Sequence, residues 1–226
     1  MYKISISVII TCHNLHVYLK ECVDSVTNQT MRATEIIILH DACEPPPVFP
    51  ETTTVVRSSH RGVAVTRNEG ARLAESEYLL FLDADDTLAE HFIEAMVNIK
   101  AETKADIIYP NVILWSSWHG KVRMRNAWHE SCEKITKENM LEYNQIVVSS
   151  LISRQLYLDV GGTPNIPILE DYSLWMKCLA RGATFMKSGQ SVLRYRQRTE
   201  GRLRHNDELK NEWYYKIREM YTSSTI

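Results

Sequence analysis

No stretch of the 226-residue sequence approaches the roughly 20 apolar residues that a bilayer-spanning helix needs. The N-terminal apolar run, Ile6 to Ile10, is too short for the hydrophobic region of a signal peptide and gives way to polar residues. A soluble protein is expected, cytoplasmic or at most peripheral at a membrane surface. Charge of one sign is not in excess either. With 26 basic and 28 acidic residues the formal charge is −2, so nucleic acid or an anionic membrane would have to be held by a local patch. The five cysteines (Cys12, Cys22, Cys43, Cys132 and Cys178) are odd in number and contain no C-x-x-C pair. That argues against a disulfide framework or a zinc knuckle and favours a reducing interior. No G-x-G-x-x-G follows the first apolar run, which disfavours a dinucleotide-binding dehydrogenase. Repeats, low-complexity tracts and a clear linker are also lacking.

The composition itself, 44% hydrophobic and 24% charged, is that of a globular chain. Ile4 to Thr11, Ile36 to His40 and Tyr78 to Leu82 are apolar runs suited to strands buried on both faces, and Thr52 to Arg57 is β-prone. Helices are expected at Leu15 to Val26, Val63 to Ala74 and Ala89 to Lys100; the first carries Leu15, Leu19, Cys22, Val23 and Val26 on one stripe. Pro45, Pro46, Pro47 and Pro50 make Glu44 to Pro50 an extended loop. Further on, Asp106 to Trp115 reads as a strand and Ser116 to Trp128 as a polar, aromatic segment turning at Gly120. Helices follow at Lys137 to Tyr143, Arg154 to Asp159 and Asp171 to Arg181. Phe185 to Arg196 reads as two short strands around Gly189. Asp207 to Tyr221 is an amphipathic helix with Leu209, Trp213, Ile217 and Met220 on one side. Strands alternating with helices imply right-handed βαβ units and a mostly parallel α/β sheet. One domain in two unequal halves is expected, about 1–103 and about 104–226.

In open α/β sheets ligands sit beyond the carboxyl ends of the strands. Three apolar runs end there in polar residues: Thr11, His13 and Asn14; His40 and Asp41; Asp83, Asp85 and Asp86. Turns favour such residues anyway, but three strand ends together point to a nucleotide and a cation. The carboxylates of FLDADDTL, Phe81 to Leu88, repel one another, and a hard cation such as Mg²⁺ or Mn²⁺ relieves that. A capping role for Asp86 or Thr87 would leave Asp83 and Asp85 unexplained.

Four blocks resemble the inverting glycosyltransferases of family 2, with a GT-A fold: Ile6 to Asn14, Glu35 to Cys43, His60 to Leu88 and Gly161 to Gly182. They stand in the family's order and span roughly residues 4 to 200. The resemblance implies a nucleotide-sugar donor across the N-terminal half, by default a uridine diphosphate sugar. Thr11, His13 and Asn14 would line the nucleotide pocket, Asp41 would bond the base, and Arg67 and Asn68 would close over base and ribose. Asp83, Ala84 and Asp85 match the D-x-D motif, with Asp85 nearer the cation (Mn²⁺ or Mg²⁺) and Asp83 nearer the ribose. In Ile168 to Trp175 the resemblance implies Asp171 as catalytic base and Glu170 in support. Both acids also suit a helix N-terminus without any catalysis. Gly161 and Gly162 resemble the glycine turn beside the acceptor, and Gly162 and Trp175 are placed on the acceptor side.

The sequence departs from the family in two places. His40 replaces the first of two acids after the second strand, and Arg198 stands where many members carry a histidine. Arginine cannot ligate a cation, but Arg196 and Arg198 can pair with phosphate oxygens. The basic strip from Arg181 to His205 suits the donor diphosphate or a polyanionic acceptor, or is simply solvated. Trp115 and Trp118, among Lys121, Arg123, Arg125 and Trp128, offer aromatic faces to an acceptor sugar, although core packing competes for them. The favoured acceptor is a saccharide or glycoconjugate; a hydroxyl on a modified DNA base ranks below it. Two alternatives remain: a haloacid-dehalogenase-type phosphohydrolase using the D-x-D-x-T of Asp83 to Thr87, and a degenerate binding module.

Overall fold

The computed structural model describes residues 4–41, 53–58, 62–118, 121–129, 133–198 and 207–222. The chain begins with strand β1 (Ile6–His13), helix α1 (His16–Thr27), β2 (Glu35–Asp41), β3 (Thr53–Ser58), α2 (Val63–Leu73) and β4 (Tyr78–Asp83). The Ile/Val/Leu runs that fit a sheet covered on both faces form it, in the order β3-β2-β1-β4 and parallel throughout. Alternate residues of each strand feed separate cores. Ile9, Ile37, Leu39, Leu79 and Phe81 pack in one cluster; Val8, Ile10, Ile38, Leu80 and Leu82 pack in the other with Leu19 and Val23 of α1.

β5 (Thr87–Leu88), α3 (Phe92–Thr103), β6 (Ile107–Trp118), β7 (Lys121–His129), α4 (Lys137–Glu142), β8 (Leu151–Ser153), α5 (Arg154–Asp159), α6 (Glu170–Ala180), β9 (Phe185–Arg196) and α7 (Asp207–Thr222) follow. The sheet continues from β4 through β8, β6, β9 and β5, with β7 paired to β6. β8 runs antiparallel to both neighbours, β9 parallel to β6, and β5 antiparallel to β9. The sheet is thus parallel in its N-terminal half and mixed beyond it. The three-residue β8 and two-residue β5 are too short to show a period in the sequence.

Three expectations are corrected. Phe185 to Arg196 is one strand, not two: its partner register jumps from Pro110/Ser188 to Asn111/Val192, so Gly189 sits in a bulge and pairing resumes beyond it. The strand expected to end at Trp115 runs on to Trp118, and Lys121–His129 is a further strand antiparallel to it, while Gly120, the expected turn, lies outside the described residues. On α7, Leu209, Trp213 and Ile217 face the core, but Met220 is exposed and Tyr214 and Tyr221 take part in the packing instead. The proline loop and the strip from Thr199 to His205 lie outside the described residues, as do the side chains of Asp41, Trp118, Lys121, Arg123, Arg125 and Trp128. Cys12, Cys22 and Cys178 are buried and in no disulfide. Among the described residues no helix is long and apolar enough to cross a membrane.

Candidate active site

Parallel register puts the carboxyl ends of β1, β2 and β4 at one edge of the sheet. Thr11 lies opposite Asp83, and its hydroxyl donates to Asp83 Oδ1 at 3.0 Å. β1 then turns at Asn14, whose φ of 53° is left-handed. A cleft of about 940 Å³ opens over this edge, with Thr11, His13, Asn14, Asp83 and Asp85 in its walls. Its opposite wall comes from the N-terminus of α6 and from α7, which contribute Glu170, Asp171, Lys210 and Tyr214.

Arg67 joins the two walls. It lies on the buried stripe of α2 between Ala64 and Ala71, and only 3% of it is exposed. The helix approaches closely because Gly70 faces the sheet: a Cβ there would lie 2.5 Å from Ile9 Cγ2. Arg67 Nη2 donates to Asp83 Oδ1 at 2.9 Å and Nη1 to Glu170 Oε1 at 3.0 Å. Burial alone would lower the guanidinium's pKa, but Asp83 and Glu170 outweigh it and hold the charge firmly.

The residue before Glu170, Leu169, adopts φ 62° and gives α6 no side-chain cap. A leucine in that region costs about 1–2 kcal/mol, and the turn directs the two acids into the cleft. Asp171 accepts from Tyr172 N at 2.8 Å and from Asn144 Nδ2 at 3.1 Å. Burial, then the charge of Glu170, raises its pKa to about 6, against the opposing pull of Arg67 and these donors. A carboxylate so tuned takes a proton near neutral pH better than an ordinary aspartate does.

On the facing wall, Asp85 Oδ2 pairs with Arg198 Nε at 2.6 Å. Burial and the neighbouring Asp83 push the Asp85 pKa up. Asp86 is buried and pushed up further; its Oδ1 accepts from Arg196 N at 2.8 Å instead of capping a helix. β5 explains how these arginines arrive, since its antiparallel pairing lays the end of β9 beside the acidic turn. Among the described residues no group of three or more His, Cys, Asp or Glu side chains could hold an ion unaided. Asp83 and Asp85 can supply two carboxylates, which is what Mg²⁺ or Mn²⁺ uses when substrate phosphates complete its shell.

The remaining predicted residues fall elsewhere. Trp175 is fully buried, edge-on to Phe185, and has no surface to offer an acceptor. Trp115 is 8% exposed; its indole N–H donates to Arg194 O, and the Arg196 guanidinium covers its ring at 3.7 Å. Arg196 lines the cleft, but its guanidinium is spent on Glu21 and the Asp85 carbonyl. Ala84 is buried, donating its N–H to Thr11 O. Asn68 bonds Thr163 and Tyr157 beside Gly162, whose φ is 66°. All of these except Arg196 are outside the cleft lining, and they hold the scaffold rather than a ligand. Asp41 ends β2, with its backbone opposite His13. Asn144, Ser149, Tyr195, Lys210 and Tyr214 line the cleft without having been predicted. For Lys210 and Tyr214 the signal was their i,i+4 spacing on an already recognised helix; Asn144 and Ser149 carried none.

A model of glycosyl transferase family 2 matches residues 7–152. The minor teichoic acid biosynthesis protein GgaB of Bacillus subtilis (strain 168) is 30% identical over 213 residues, 88% of this chain and 24% of that protein. The Escherichia coli UDP-Glc:alpha-D-GlcNAc-diphosphoundecaprenol beta-1,3-glucosyltransferase WfaP is 26% identical over 188 residues, 78% of this chain and 71% of that one. The crystal structure of S. aureus TarS 1-349 in complex with UDP-GlcNAc aligns with a TM-score of 0.71 at 16% identity, over 97% of this chain and 66% of that chain. The shared fold is GT-A. Besides its quarter of GgaB, the chain spans 26% to 38% of three further curated relatives.

Proposed function

The chain belongs to glycosyl transferase family 2, and we propose that its cleft transfers a sugar, with inversion, from a nucleotide-sugar donor to a hydroxyl of a saccharide or glycoconjugate. A uridine diphosphate sugar is the donor favoured here: the TarS structure holds UDP-GlcNAc, and WfaP is named for UDP-Glc. The observation that carries the reading is the Arg67 bridge, which ties Asp83 of the D-x-D to Glu170, next to Asp171, across one cleft.

In this reading the donor diphosphate lies by the acidic turn and the acceptor hydroxyl meets Asp171. Asp171 takes the proton from that hydroxyl as its oxygen attacks C1 from the face opposite the diphosphate. Asn144 and the Tyr172 N–H hold the carboxylate in one orientation, and Glu170, fixed by Arg67, keeps its proton affinity high. Asp83 and Asp85 would hold Mn²⁺ or Mg²⁺ together with donor oxygens. The cation would supply positive charge where negative charge grows on the leaving diphosphate. Arg198 is close enough to Asp85 to bring its guanidinium to the same phosphates.

No observation favours the phosphohydrolase. Asp83, its required nucleophile, has Oδ1 engaged by both Arg67 and Thr11. Nor does any observation favour a DNA acceptor. A thermal-shift screen of nucleotide sugars with Mn²⁺ tests the donor side, and transfer by Asp171→Asn tests the base. A stabilising nucleotide sugar, with the variant binding it but failing to transfer, is expected. Undiminished transfer by that variant would remove Asp171 from the mechanism.

A further inference from the structure

We propose that the cleft wall around Lys210 is an acceptor subsite for an anionic group, a phosphate ester or a carboxylate carried close to the hydroxyl that is glycosylated. This rests on the glycosyltransferase reading and adds the class of acceptor.

The cations of the cleft are unequally committed. Arg67 is held by Asp83 and Glu170, Arg196 by Glu21 and the Asp85 carbonyl, and Arg198 by Asp85. Lys210 lines the same cleft and is partly buried, yet has no ion-pair or hydrogen-bond partner among the described residues. A partly buried lysine with no counter-charge among the described residues is a site where a bound anion gains more than it would at an exposed lysine.

Its position assigns it to the acceptor. Leu209, Trp213, Ile217 and Tyr221 pack on the core and fix the rotation of α7. Lys210 and Tyr214, one turn apart, therefore both face the cleft. The Tyr214 hydroxyl accepts from Asn144 N at 3.3 Å, and Asn144 in turn donates to Asp171. Lys210 thus stands one helical turn from the tyrosine that is linked through Asn144 to Asp171. Ser149 is a second, independent sign of a ligand. It lines the cleft, is fully buried, and its Oγ has no hydrogen-bond partner. Leaving a buried hydroxyl unpaired is unfavourable, and a ligand's polar group would relieve that.

The test uses three hexoses that differ in charge: glucose, glucuronate and glucose 6-phosphate. Their binding to the wild-type chain, Lys210→Ala and Lys210→Glu is measured by calorimetry with and without UDP. At least one charged hexose is expected to bind the wild type about tenfold tighter than glucose does, with the difference erased in Lys210→Ala and reversed in Lys210→Glu. Preference for the phosphate alone, or the carboxylate alone, upholds the subsite and names its chemistry. No preference in the wild type, or a preference that survives Lys210→Ala, overturns it. So does a loss of UDP affinity in Lys210→Ala matching the loss for the hexoses, since Lys210 would then serve the donor. Failure of UDP to bind the wild type would count against the glycosyltransferase reading instead, while the arms without UDP still decide the role of Lys210.

Discussion

Asn144 donates from Nδ2 to Asp171 Oδ2 at 3.1 Å, so a residue between α4 and β8 holds the carboxylate at the head of α6. As the proposed base, Asp171 must be deprotonated to act, and its pKa is raised to about 6, chiefly by burial. kcat/KM should therefore fall as pH drops through about 6. Asn144 favours the charged form, so Asn144→Ala should move that limb upward. A hydrogen bond to a charged group is worth about 1.5–3 kcal/mol, and one unit corresponds to about 1.36 kcal/mol, so a shift of about one to two units is expected. Asp171→Asn should lower kcat by about 10²–10⁴-fold at every pH. A limb that stays in place in Asn144→Ala would mean another group titrates.

Removing Arg67 should destabilise the fold as well as the site. Breaking a buried ion pair costs about 3–5 kcal/mol, and the lower end applies because Asp83 is 33% exposed. Arg67→Met should lower Tm by roughly 6–12 °C, at about 2–4 °C per kcal/mol for a chain of this size. Arg67→Lys should recover part of the loss, because a single ammonium cannot reproduce the fork that reaches Asp83 and Glu170 together. Differential scanning of the three proteins checks the order.

Chelation should abolish stabilisation by the donor if Asp83 and Asp85 hold a cation with its phosphates. EDTA is expected to remove the thermal shift that a UDP-sugar gives, and Mn²⁺ or Mg²⁺ to restore it. Asp85→Ala should bind the donor at least tenfold more weakly in Mn²⁺ and be nearly indifferent to EDTA. If Asp85→Ala kept a full, EDTA-sensitive shift, the cation would be held elsewhere.

The strands that bring Thr11, Asp41 and Asp83 to one edge of the sheet were legible because each is a short apolar run ended by an acid or a hydroxyl. Parallel register then forces those ends together, as Thr11 and Asp83 show. Arg67 was named for the right segment, but its bridging role was not read; its place between Ala64 and Ala71 on a buried stripe was the available signal. What failed depended on long-range packing. Trp175 and Trp115 look alike in sequence, yet one fills the core and the other lies beneath Arg196. β5 and β8 have no local pattern at all and exist because β9 and β6 pass beside them.

Gly161 and Gly162 should not be equivalent, although both have positive φ. Alanine in that region costs about 1–2 kcal/mol, and at Gly161 little is added, since the nearest atom to a new Cβ, Lys177 Nζ, lies at an ordinary contact distance of 3.9 Å. At Gly162 the new Cβ would run into Asn68 Oδ1, with Tyr157 Cε1 only 3.2 Å away. Asn68 cannot step aside cheaply, because Oδ1 accepts from Thr163 N and Tyr157 Oη while Nδ2 donates to Thr163 O. Losing even one such buried bond adds about 1–3 kcal/mol. Gly162→Ala should therefore melt several degrees below Gly161→Ala, at about 2–4 °C per kcal/mol. Below its melting range it should keep the wild-type KM for the acceptor, because Gly162 does not line the cleft. Equal melting temperatures would show that Asn68 yields without loss, and a raised acceptor KM would return the glycine turn to the substrate.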